Sequence, residues 1–137
     1  MKNLLFALLP FLLFISCSKN VELNPDLASG IVGVYDATYA DINKTASALP
    51  SPDVTIGLRL NFVDVKTVGC TLVTTIAGKK NETTGNLNLE RSDDKIRLLI
   101  SGSEFGFIKG NQLTVQYVNK DGSKVLIKAN KNMESVL

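Results

Sequence analysis

The chain has 137 residues, 45% of them hydrophobic, and its 15 basic and 13 acidic side chains leave a formal net charge of +2. That balance argues against nucleic acid, which requires a clustered basic face. There is no histidine, which removes the commonest general base, the usual Ser and Cys triads and the commonest metal ligand, so no catalysis, cofactor or metal is expected. In chain order, Met1, Lys2 and Asn3 precede an apolar run from Leu4 to Ile15 that is broken only by Pro10. About 12 residues make a helix of roughly 18 Å, against a hydrocarbon core of about 30 Å, so the run is too short to span. A positive start, an apolar middle and a small residue at the end predict a secretory signal peptide over residues 1–16, and the run lacks the polar face of an ordinary surface helix.

The residues at the predicted cleavage point, Phe14-Ile15-Ser16-Cys17, resemble the lipobox of bacterial lipoproteins, with Phe14 where Leu is preferred. The resemblance implies that Cys17 carries a diacylglycerol and, after cleavage, an acylated amine. Several chains on one residue give stable anchoring, since each buried methylene contributes about 0.8 kcal/mol. Residues 17–29 are polar and proline-bearing with no apolar period, and predict a flexible tether after the lipidated cysteine. The Cys17-Ser18-Lys19-Asn20 opening resembles small lipoproteins of the Bacteroidota, and Ser18 beside the cysteine implies an outer-membrane location in the cell envelope.

Residues 30–131 are enough for one domain, with residues 132–137 a C-terminal tail. Ile31 to Ala40 reads as a first strand. A loop from Asp41 to Asp53 follows, then Val54, Ile56, Leu58, Leu60 and Phe62 alternate with polar residues, as do Val68 to Ile76. A break is expected at Lys79 to Glu82. Leu87 and Leu89 come next, then a Ser92-Asp93-Asp94 turn, Ile96 to Ile100, and Phe105 with Phe107. Leu113, Val115 and Tyr117 follow, and Asp121-Gly122 predicts a two-residue hairpin before Val125, Ile127 and Ala129. Short strands joined by tight turns, with no helix, predict an all-β antiparallel up-and-down meander of eight strands closed into a barrel, with a β-sandwich as the alternative.

The segment from Gly30 to Thr38, Gly-Ile-Val-Gly-Val-Tyr-Asp-Ala-Thr, resembles the opening strand of lipocalins and of calycin-like barrels, with Tyr35 where many have Trp. That resemblance implies that Tyr35 closes one end of the barrel. Strands of about 7 residues make a barrel roughly 18 Å tall, and an eight-stranded interior holds only side chains or one small ligand. Tyr35, Tyr39, Leu58, Phe62, Phe105 and Phe107 are the candidate barrel-filling or ligand contacts.

Other chemistry-bearing residues read as structural. Asp93-Asp94 suits a turn, and Asp36 and Glu104 have no assignable partner. Cys70 alternates with Val68 and Leu72, which places it inside as a small hydrophobe. The sequence therefore predicts a lipid-anchored, noncatalytic binding or structural module. Its partners are the membrane, through the lipid, and either an unknown envelope protein or a small hydrophobic ligand. A peptidase inhibitor acting through a protruding Asp41–Asp53 loop is the further alternative.

Overall fold

A computed structural model describes residues 25–136, so the predicted signal peptide and Cys17 lie outside the described residues. Nine strands follow in order: β1 (Gly33–Ile42), β2 (Thr45–Ala48), β3 (Val54–Asp64), β4 (Thr67–Ile76), β5 (Lys79–Ser92), β6 (Lys95–Ile100), β7 (Ser103–Lys109), β8 (Gln112–Val118) and β9 (Lys124–Lys131). Each of β3 to β9 pairs antiparallel with its neighbour in sequence, β1 pairs with β3, and β1 with β9 closes the sheet. The fold is a closed, antiparallel, up-and-down barrel of eight strands; the sandwich alternative is excluded.

The ninth strand, β2, corrects the expected open loop from Asp41 to Asp53. Asn43 and Lys44 both take positive φ, and β2 folds back on the upper half of β1, from Ile42↔Thr45 to Tyr39↔Ala48. This two-residue turn matches the right-handed strand twist. The expected break at Lys79–Glu82 is likewise strand. The chain reverses earlier, at Ala77 and Gly78, both with positive φ, and Lys79 to Glu82 pair with Ile76 to Val73. Conversely, Asp121-Gly122 is no two-residue hairpin. The loop runs from Asn119 to Ser123 and is held by Asn119 N–H on the Ser123 carbonyl, 2.8 Å, and Ser123 N–H on Asp121 Oδ1, 2.8 Å.

One end of the barrel is plugged. Leu27, Ala28 and Ile31 are buried among Tyr35, Leu60, Val68 and Leu113, and the Leu27 N–H donates to the Val65 carbonyl at 2.9 Å. The expected tether therefore stops before Leu27 and does not reach Ser29. The plug is too short to show a period, but it covers apolar interior that would otherwise face water. The tail begins with Asn132, whose N–H donates to the Val34 carbonyl at 2.7 Å and whose side-chain amide donates to Asp36 at 2.9 Å, giving Asp36 the partner the sequence did not assign.

Candidate functional site

Above the plug, Leu58, Leu87, Leu98, Val115, Ile127 and Cys70 fill the middle of the barrel. The opposite end is open, because the wall there is uneven. Strands β3 and β4 run for 11 and 10 residues and β5 for 14, whereas β6, β7 and β8 have 6, 7 and 7. Pairing of β5 with β6 begins only at Asn88↔Leu99, and pairing of β7 with β8 stops at Gly106↔Val115. The β6–β7 turn is thus bounded by an unpaired gap on each side. The result corrects the uniform 7-residue strands expected from the sequence.

The open mouth has two adjoining hollows that share Leu72, Tyr117 and Asn119. One, of about 340 Å³, lies between β1–β2, β3–β4 and β9, with Leu49, Ile56, Thr74 and Val125 among its walls. The other, of about 530 Å³, lies between β5 and the β6–β7 turn, over Cys70, Leu87 and Phe105. Neither is lined by a charged side chain. Ile42, Ile76 and Ile100, which end the apolar alternation of β1, β4 and β6, stand at this rim 49%, 54% and 45% exposed. Large apolar groups left in water around an uncharged concavity are the surface signature of a binding site. A third hollow, of about 480 Å³, lies beside the rim, shares Tyr117 and Val125 with the smaller hollow, and differs from the mouth in joining the charged Asp41, Lys44, Glu104 and Lys124.

The candidate residues are distributed unevenly about this mouth. Tyr35 is fully buried at the plugged end, where its hydroxyl donates to the Ile31 carbonyl at 2.7 Å. Burial raises its pKa to about 12. It packs at the closed end of the barrel and lies away from the mouth. Leu58 is buried beneath the hollows. Phe105 does reach the mouth and stacks on Tyr117, ring centroids 5.7 Å apart and planes 19° off parallel.

The other three are not in the interior. In the β1–β9 pairing a bulge falls between Ala37 and Tyr39, so Ala37 and Ala40 both face the core and Tyr39 is turned outward under Lys128, whose Nζ lies 5.7 Å from the ring centre. A second bulge, between Leu98 and Leu99, leaves Phe105 as the extra residue of β7. Phe107 accordingly pairs with Arg97 on the outer face, with Lys95 Nζ 4.6 Å from its ring centre. Gly106 makes this bend possible: a Cβ there would stand 2.2 Å from the Thr114 carbonyl oxygen. Phe62 pairs with Val68 at the plugged end, where Leu27 and Ile31 occupy the interior, and is 53% exposed.

Sequence reading missed Leu72, Thr74 and Tyr117 as mouth residues. Their parity was legible, but which end of the barrel is open depends on strand lengths that the polar start of β5 concealed. Several of the remaining polar groups pair with one another, while Asp41 Oδ1 is buried without a hydrogen-bond partner. Arg97 Nε donates to Glu104 at 2.7 Å and its Nη1 to Glu90 at 3.1 Å, so Glu104 has a partner after all. Asp94 lies against Lys109 in the β5–β6 turn, which holds its carboxyl below the usual range. Burial pushes the Cys70 thiol up to about 11, away from the reactive thiolate.

No family model and no curated protein matches this chain. Among solved structures it is similar to a redesigned β-barrel, with a TM-score of 0.55 and 15% identity over 79% of this chain and 96% of that one. At such identity the likeness carries the barrel fold alone.

Proposed function

We propose that the protein is a noncatalytic binding module of the cell envelope, held to the outer membrane by lipid on Cys17, and that its open mouth takes a small, uncharged, largely apolar ligand. The observation that carries this reading is the contrast between the barrel's ends. One is sealed by Leu27, Ala28, Ile31 and Tyr35, while the other leaves Ile42, Ile76 and Ile100 exposed around hollows without a charge. A cavity of several hundred Å³ with apolar walls and a few hydroxyl and amide groups suits a compact ligand with one or two hydrogen-bonding groups. The Thr74 and Asn119 side chains, both on the walls, are the groups that would orient it.

The inhibitor reading has less support. The Asp41–Asp53 segment that would have to protrude is folded back as β2 with Leu49 buried. The ligand reading is tested with the neutral dye N-phenyl-1-naphthylamine, which brightens in apolar surroundings. The purified protein should enhance its fluorescence saturably, and Thr74→Arg, which places a charge in the smaller hollow, should weaken binding by about tenfold or more. No saturable enhancement by the folded wild type would sink the reading.

A further inference from the structure

The upper edge of β5 is a part of the mouth that a small ligand does not explain. Residues 79–87 of β5 pair with β4 but precede the first β6 pair, Asn88↔Leu99. The Leu89 N–H donates to the Lys66 carbonyl on the β4 side, at 2.8 Å. Backbone groups of a strand alternate in direction, so those of the odd-numbered residues point to β4 and those of Thr84 and Asn86 point to the vacant edge. Nothing lies within 4 Å of the place a Gly85 Cβ would occupy. This edge is one wall of the larger hollow, whose far side is the Phe105–Tyr117 stack. A row of unpaired amides and carbonyls therefore borders an apolar recess.

We propose that an extended peptide segment adds to β5 as a further strand, bonding to the backbones of Thr84 and Asn86 and sending one apolar side chain past Gly85 onto the Phe105–Tyr117 stack. Strand addition draws its affinity from the main chain and its specificity from a pocket for an alternate side chain, and both are present here. The recess has no charged wall, which requires an uncharged inserted residue. On the outer lip Arg97 is shared by Glu90 and Glu104, and Glu82 feels both Lys80 and Arg59, so these six groups carry no net charge. Charged residues at the tip of β5 discourage longer pairing, as they do on edge strands generally. The proposal rests on the mouth being the binding site and names its occupant as a peptide side chain.

Four blocked heptapeptides, acetyl-Thr-Ser-Lys-Xaa-Lys-Ser-Thr-amide with Leu, Phe, Gly or Asp at Xaa, test it against the 15N-labelled protein. The Leu and Phe peptides should slow amide exchange at Thr84 and Asn86 and bind about tenfold or more tightly than the Gly and Asp peptides. Thr84→Ala, which keeps the edge N–H, should bind as wild type. Thr84→Pro removes that N–H where an edge strand tolerates proline, and should lose binding while keeping a dispersed amide spectrum. No slowing by any peptide, or undiminished binding by Thr84→Pro, overturns strand addition. Loss of binding by Thr84→Ala overturns it too, because it would put the contact on the side chain. Dye binding that persists through such a result leaves the small-ligand reading standing, and failure of the dye alone removes only that reading.

Discussion

Tyr35→Phe separates a structural tyrosine from a ligand contact and has a sign that changes with pH. The substitution keeps the ring but deletes a hydroxyl that donates to the Ile31 carbonyl at 2.7 Å inside the plug. One such buried bond contributes about 1 kcal/mol, so the variant should melt roughly 4–8 °C lower at pH 7. The alkaline side runs the other way. Tyr35 ionises near the model-compound value of 10.0 when unfolded and at about 12 when folded, because its buried ring cannot take up charge. Below pH 10 both states are protonated and the difference is silent. Between about pH 10 and 12 the unfolded chain releases the proton and the folded one keeps it, so rising pH destabilises wild type by up to about 2.7 kcal/mol, at roughly 1.4 kcal/mol per unit.

Phenylalanine has no such proton, and the two stability curves should cross near pH 11. Other groups, including Cys70 and Tyr117, titrate in both proteins and cancel in the difference. Urea unfolding of both proteins at half-unit steps from pH 7 to 11.5 measures it. Curves that stay parallel would refute the burial of the hydroxyl, and a loss of dye binding by Tyr35→Phe at pH 7 would refute its separation from the mouth.

Two further substitutions address the bulge and the anchor. Gly106→Ala drives a Cβ to within 2.2 Å of the Thr114 carbonyl, a backbone atom that no rotamer change can move. It should cost about 3 kcal/mol, the upper range for overpacking, in urea unfolding; a cost under about 1 kcal/mol would mean that β7 approaches β8 less closely than described. Cys17→Ala should abolish metabolic labelling by a radioactive fatty acid and leave a product of unprocessed or unlipidated mass, and normal lipidation of that variant would remove the anchor from the proposal.

Most of the barrel was legible because one face of each strand is buried and the other wet, so Val54 to Leu60, Val68 to Leu72 and Leu113 to Tyr117 alternate cleanly. What was not legible follows from three physical causes. Strand β2 and the start of β5 are exposed on both faces, so Thr45 to Ala48 and Lys79 to Glu82 show no alternation and read as loop. Bulges shift parity by one residue without any change in composition, which is why Tyr39 and Phe107 were assigned inside and stand outside. The plug consists of Leu27, Ala28 and Ile31 only, too few for a period. Those same three causes shape the mouth. The unpaired start of β5 makes its slot, the second bulge brings Phe105 inward, and the plug decides which end stays open.

The plug also decides which way the mouth faces under the proposed anchoring. The described chain enters at the plugged end, where Leu27 is bonded to Val65, and eight residue steps separate Cys17 from Pro25. Eight steps reach at most about 26–29 Å. The tallest wall, the 14 residues of β5, stands roughly 35 Å high at a strand tilt near 40°. Eight steps, even fully extended, fall short of the top of that wall. If the anchor is on Cys17, that distance directs the mouth away from the leaflet that holds it, and the exposed isoleucines of the rim would then face the aqueous side and not the membrane of the anchor.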